Sequence, residues 1–129
     1  MKCRIGFVSN SSSESFCMFG IGIEYYEVIK KLNKKYKKLF DKEFKIKDDN
    51  YSNIEKYDLF EFLNNIDLNI KCNSGPPYED YIYIGKEWCD IKDNETGLQF
   101  KNSIKNEIKL LFKDSEDLKF KTHEISWNN

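Results

Sequence analysis

A single histidine, His123, and two adjacent prolines, Pro76 and Pro77, are all that 129 residues contain of either type. With one imidazole, a Ser/His/Asp constellation would have to be assembled around a histidine in a late strand. The four cysteines, Cys3, Cys17, Cys72 and Cys89, form no Cys-x-x-Cys pair, so a zinc site would need scattered ligands to converge. They are expected as reduced thiols, some of them small hydrophobes of the core. Phosphate loops of the GxxxxGKS/T or GxGxxG form are missing, and Gly20-Ile21-Gly22 lacks the third glycine. Neither an enzyme nor a cofactor is expected from these residues.

Long apolar runs are missing too. The longest, Phe16 to Ile23, is eight residues with two glycines, against the roughly 20 that a membrane span needs. No apolar segment near Lys2 and Arg4 is long enough for a secretory signal, so the cytoplasm of a host cell is the expected location. Charge of one sign is not in excess. The 21 basic and 22 acidic residues leave a net charge of −1, which argues against a strongly basic nucleic-acid binder and against a polyanionic mimic of DNA.

What is present is a globular composition, 40% hydrophobic and 16% aromatic, with ten Phe and eight Tyr. The length suits one domain over residues 1–129 that buries a core without staples. It opens with a serine-rich arm over residues 1–13. Ser9 to Ser15 reads as a compact loop or a loose arm, since serine hydroxyls bond to nearby backbone. Phe16 to Ile23 then reads as a strand apolar on both faces, which belongs in the middle of a sheet. Its two glycines are expected to admit a close helix.

The spacing of Tyr25, Val28, Ile29, Leu32, Tyr36, Leu39 and Phe40 predicts one helix over Glu24–Phe40. Its remaining surface carries Lys30, Lys31, Lys34, Lys35, Lys37 and Lys38. Such a face is ordinarily solvated, and its functional reading is a basic ridge for phosphates or for an acidic partner. A polar loop with a short extended piece at Phe44–Lys47 leads to Ser52-Asn53-Ile54-Glu55, a capping-box pattern. It predicts a short helix to about Asn64 that buries Tyr57, Phe60 and Leu63, with Leu59 at its edge.

Ile66, Leu68, Ile70 and Cys72 alternate with polar residues as a half-buried strand, and a turn at Asn73–Pro77 returns the chain along Asp80–Gly85. Asp90, Asp93 and Glu95 stand in an acidic loop that does not match a calcium loop and suits the start of a helix. Thr96 and Gln99 form a second capping-box pattern, followed by the stripe Phe100, Ile104, Ile108, Leu111 and Phe112. Leu118 to Trp127 closes the chain as a strand whose alternation changes parity near Thr122 and His123, as at a bulge.

The fold class expected is α+β: a four-stranded, mainly antiparallel sheet with two long helices and one short helix on one face. With the short helix absorbed into the first crossover, the order is the β-α-β-β-α-β of ferredoxin-like folds.

The stretch Gly6-Phe7-Val8-Ser9-Asn10-Ser11-Ser12-Ser13, with Ser15 and Phe16, resembles a signature at the start of many small uncharacterised proteins of bacteriophages and other mobile elements. Glu14 replaces one serine of the run. The segments Tyr83–Gly85, Asp93–Thr96 and Gln99–Lys101 look like a block that accompanies it. The resemblance implies a phage or prophage source and attaches no activity. With the missing catalytic residues it favours a small accessory protein that binds and inhibits a host protein, an antiviral defence (CRISPR) effector being one such target. The partner surfaces expected are the lysine face and the Asp90, Asp93 and Glu95 loop. Nucleic-acid binding through the lysines is the alternative, and a virion or self-associating structural protein is a third.

Overall fold

The computed structural model describes residues 13–76 and 78–128, so the serine-rich arm lies outside the described residues apart from Ser13. The chain runs through β1 (Ser13–Glu24), α1 (Tyr25–Lys31), α2 (Lys34–Glu43), α3 (Lys56–Asn65), β2 (Lys71–Asn73), β3 (Tyr81–Glu87), α4 (Gly97–Leu111) and β4 (Lys121–Asn128). Short 3-10 turns at Trp88–Asp90 and Ser115–Asp117 flank α4. The sheet order is β2-β3-β1-β4, with every neighbouring pair antiparallel. This is the arrangement that the β-α-β-β-α-β order gives when β3 is inserted between β1 and β2.

β1 sits between β3 and β4, as its two apolar faces require. Phe19, Ile21 and Ile23 join Ile82, Ile84 and the helices in the main core. Phe16 and Met18 point to the other face and pack with Tyr83 and Ile125. The glycines of β1 do not admit a helix. Gly20 lies opposite Gly85, and a Cβ on Gly20 would fall 1.9 Å from the Ile84 carbonyl oxygen. Two strands, not a strand and a helix, make the close approach.

The single helix expected over residues 24–40 is two helices, broken at Leu32 and Asn33. Asn33 serves as the N-cap of α2, its Oδ1 accepting from the Lys34 amide at 3.0 Å. Its own amide donates to the Leu111 carbonyl at 2.8 Å, and its Nδ2 donates to the Leu110 carbonyl at 3.3 Å. The Lys113 amide donates back to the Lys31 carbonyl at 2.9 Å. The break thus satisfies carbonyls left open at the ends of both α1 and α4. It also turns α2 so that Tyr36 and Phe40 are buried while Leu39 is 45% exposed, which removes Leu39 from the expected stripe. Asn33→Ala should cost about 1 kcal/mol, the usual value of a lost cap. Asn33→Asp, which keeps the acceptor, should cost less. Equal denaturation midpoints for native and Asn33→Ala protein would sink this account.

Four other local expectations are corrected. The extended piece expected at Phe44–Lys47 begins instead as a turn, with Phe44 capping the end of α2 and Lys45 at a positive φ of 52°. The residues capping α3 are Glu55 and Asp58, not Ser52 and Glu55. The Glu55 amide donates to Asp58 at 3.0 Å, whereas the Ser52 hydroxyl bonds to Asn50. The later start buries Leu59, Phe62 and Leu63 and leaves Tyr57 62% exposed. The strand expected over Ile66–Cys72 shrinks to Lys71–Asn73, because β3 pairs with those three residues alone. On the outer edge of β2, Asn64 accepts from the Cys72 amide at 2.8 Å and donates to its carbonyl at 3.1 Å, occupying backbone groups that an edge strand would expose. Finally, β4 carries no bulge, since its register with β1 runs unbroken from Lys121 to Asn128. The parity change marks a change of face. Leu118 and Phe120 pack against the helical core before the strand starts, and Ile125 packs on the opposite side.

Beside Ile125 on that face, His123 is 8% exposed, its ring centroid 5.1 Å from that of Tyr83. Its Nε2 is buried with no hydrogen-bond partner among the described residues. Burial, and secondarily the Lys121 charge, hold its pKa below the ordinary 6.5, while a hydrogen bond with the Gly20 backbone opposes them. A depressed histidine pKa means that the unfolded chain binds the proton more readily. Stability from this site is therefore complete above 6.5 and is lost as pH falls through that value towards the folded-state pKa. The melting temperature should drop between about pH 7.5 and 5.5, and His123→Phe should flatten that slope. Equal slopes in the two proteins would overturn the assignment.

Candidate functional site

The helix break distributes the six candidate lysines over two helices. Lys30 and Lys31 end α1, and Lys34, Lys35, Lys37 and Lys38 occupy α2. Lys30 lies 3.7 Å from Glu27, one turn back. Lys35 reaches across to Asp67 at 3.5 Å, a carboxylate that also accepts from the Tyr36 hydroxyl at 3.2 Å. That hydroxyl bond, followed by the Lys35 charge, holds the Asp67 carboxyl below its ordinary pKa. Lys34 and Lys38 are exposed and Lys31 is half-buried. Lys37 places its ammonium 5.8 Å over the ring of Tyr51.

Lys30 and Lys37 border a cavity of about 270 Å³ whose walls are Tyr25, Tyr26, Ile29, Tyr51 and Ile54. The Tyr25 and Tyr26 rings meet nearly edge-on at 5.6 Å. Tyr51 comes from the loop between α2 and α3, fixed by its hydroxyl donating to Asp41 at 2.7 Å. Burial, then Asp41, push that hydroxyl far above its ordinary pKa, so it stays a proton donor and the ring faces the cavity uncharged. Beneath it, Phe40 packs 6.2 Å from the Tyr51 ring and anchors this wall to the core. An aromatic and aliphatic hollow with two ammonium groups at its mouth can accept an apolar group that carries or adjoins a negative charge.

The acidic candidates stand elsewhere. Asp90 ends the 3-10 turn after β3 and pairs with Lys71 at 3.4 Å. Glu95 accepts from the Lys92 amide at 3.2 Å, closing its own turn before α4. Asp93 is exposed between them. Thr96 and Gln99 cap α4 reciprocally, as their spacing predicts. Asp90 and Glu95 thus have partners of their own, Lys71 on β2 and the Lys92 amide, and none of the three acids lines the tyrosine hollow. Among the described residues, no three of His, Cys, Asp and Glu converge as metal ligands. Cys72 is buried, which pushes its thiol pKa up to about 12 and leaves it protonated and unreactive near neutrality.

The lysines were legible in the sequence, but the tyrosine hollow they border was not. Its one available signal is the Tyr25-Tyr26 pair at a helix start, where neighbouring side chains diverge and both cannot enter the core. Tyr51, in a polar loop, carried none. No helix among the described residues is long and apolar enough to cross a membrane. No protein-family model, no curated protein and no solved structure matches the chain.

Proposed function

We propose that this chain is a small phage or prophage accessory protein that binds a host protein and inhibits it by covering a functional surface, an antiviral defence effector of the CRISPR type being one target. The observation that carries the protein-binding reading is the tyrosine hollow with Lys30 and Lys37 at its mouth. Tyrosine is among the residues that most often dominate binding energy when they sit in a pocket that a partner closes off from water. The phage assignment rests on the serine-rich opening. The test is capture of a defence effector by the purified chain, followed by assay of that effector's nuclease activity. Binding with inhibition that Tyr26→Ala weakens at least about tenfold supports the proposal, since truncating a central aromatic costs 2 kcal/mol or more. An effector that stays fully active in the complex sinks it.

Clustered lysines beside the exposed ring of Tyr26 also suit a nucleic-acid binder that stacks a base, although Tyr36 among those lysines is buried. That alternative requires affinity for single strands that falls steeply with salt. Binding that is absent at low ionic strength removes it. The third alternative, self-association, has its support in β4, an eight-residue strand at the edge of the sheet among the described residues. Light scattering that shows a monomer at every concentration removes that one.

A further inference from the structure

The geometry points to one kind of occupant for the tyrosine hollow: a single aromatic or branched aliphatic side chain of a partner protein, flanked in its own sequence by carboxylates. This rests on the protein-binding reading above and names what that surface recognises.

Size comes first. The hollow holds about 270 Å³, at the small end for a ligand site and enough for one side chain. The lining decides next. Ile29, Ile54 and the three tyrosine rings offer apolar and ring surface, and the Tyr51 hydroxyl is already committed to Asp41 at 2.7 Å. An apolar group set against these walls gains by leaving water.

Charge decides the flanks. Lys30 and Lys37 stand at the mouth. The pair between Lys30 and Glu27 spans 3.7 Å with the lysine side chain 72% exposed, so it contributes little and exchanges easily for an incoming carboxylate. A nucleic-acid strand fits less well. Its phosphates would run past Glu27 beside Lys30, Asp41 on the Tyr51 hydroxyl and Asp49, close enough to act on that same hydroxyl. A side chain with a single carboxylate on either side can set one against each ammonium group and avoid those three carboxylates.

The experiment titrates the full purified chain, followed by amide NMR shifts, with four probes. They are the blocked pentapeptide Gly-Asp-Phe-Asp-Gly, its Gly-Asp-Ala-Asp-Gly and Gly-Lys-Phe-Lys-Gly counterparts, and a short oligothymidylate. The acidic phenylalanine peptide should move and saturate the amides of Tyr25, Tyr26, Ile29, Lys37 and Ile54, and the alanine peptide should bind at least about tenfold more weakly, in line with a lost aromatic anchor. Lys30→Glu combined with Lys37→Glu should abolish binding of the acidic peptide and confer binding of the lysine peptide. Tyr26 is 46% exposed, so Tyr26→Ala should keep the fold and still lose the peptide. The inference is overturned if the pocket amides stay still, if alanine serves as well as phenylalanine, if charge reversal changes nothing, or if oligothymidylate takes the same amides more tightly. No host component enters this titration. Peptide binding without effector inhibition therefore refutes the inhibitor reading alone, and inhibition without peptide binding refutes the pocket alone.

Discussion

Phe40→Ala should destabilise the protein by about 4 kcal/mol, within the range for emptying a buried phenylalanine site. Phe40 has no exposed surface. Its ring touches three others: Phe44 at 4.6 Å, Phe62 edge-on at 5.1 Å and Tyr51 at 6.2 Å. Those partners belong to the end of α2, to α3 and to the loop between them. Truncation thus leaves a void where three segments meet, and no single helix can shift to fill it. A domain has roughly 5–15 kcal/mol of stability in all, so this one residue accounts for a large fraction. Phe40→Leu, which keeps much of the volume, should cost only about 1.5 kcal/mol or less. Denaturant midpoints at constant slope measure both. A loss below about 1 kcal/mol for Phe40→Ala would mean that the void closes, contrary to a junction of three segments. Tyr51 also walls the tyrosine hollow, so the folded fraction of Phe40→Ala should bind the acidic phenylalanine peptide more weakly. Core and candidate site are joined through one ring contact.

The parts of the fold visible in the sequence are those that one segment settles for itself. Apolar residues on both faces of Phe16–Ile23 require a strand covered on both sides, and β1 is that strand. The stripe from Phe100 to Phe112 and the Thr96–Gln99 box define α4 without help from elsewhere. Where two segments compete, local pattern fails. Tyr25 to Phe40 has helical spacing throughout, but Asn33 finds the Leu110 and Leu111 carbonyls at the end of α4, and those bonds outweigh continuing one helix. Ser52–Glu55 has the pattern of a helix start, but Glu55 and Asp58 cap α3, in the frame that sends Leu59 and Phe62 inward. A pair of strands is only as long as their shared register, so β2 stops at three residues despite its longer alternation.

The same distinction separates the visible and hidden parts of the candidate site. Lysines at helical spacing announce an exposed face, because a buried lysine is rare. A hollow between two helices and a loop is a tertiary fact. Tyr51 reaches it only because Asp41 captures its hydroxyl and Phe40 supports its ring. Nor does counting lysines reveal which are available. Lys35 is drawn to Asp67 across 32 positions of sequence, while Lys37 stays over a tyrosine ring at the mouth.

Gly20→Ala should be among the most damaging of all methyl additions to this chain, at about 3 kcal/mol, the upper end for overpacking. The Cβ it introduces would lie 1.9 Å from the Ile84 carbonyl oxygen and 2.9 Å from the Gly85 Cα. Both obstacles are backbone, in a strand held on its other side by β2, so no side chain can turn away to make room. Gly85 is the mirror of this position, its own Cβ falling 2.0 Å from the Phe19 carbonyl oxygen. Gly85→Ala should therefore cost as much, and the double variant should cost less than the sum, because separating the strands once relieves both clashes. Gly97→Ala is the control. A Cβ there meets nothing within 4 Å, and the residue opens α4 just after its Thr96 cap. Removing glycine's freedom in the unfolded chain should stabilise by about 0.4–1 kcal/mol. Opposite signs at Gly20 and Gly97 follow from the space around each glycine. Equal, small effects at both would mean that β1 and β3 can separate freely, and the centre of the sheet would then not be the rigid part of this fold.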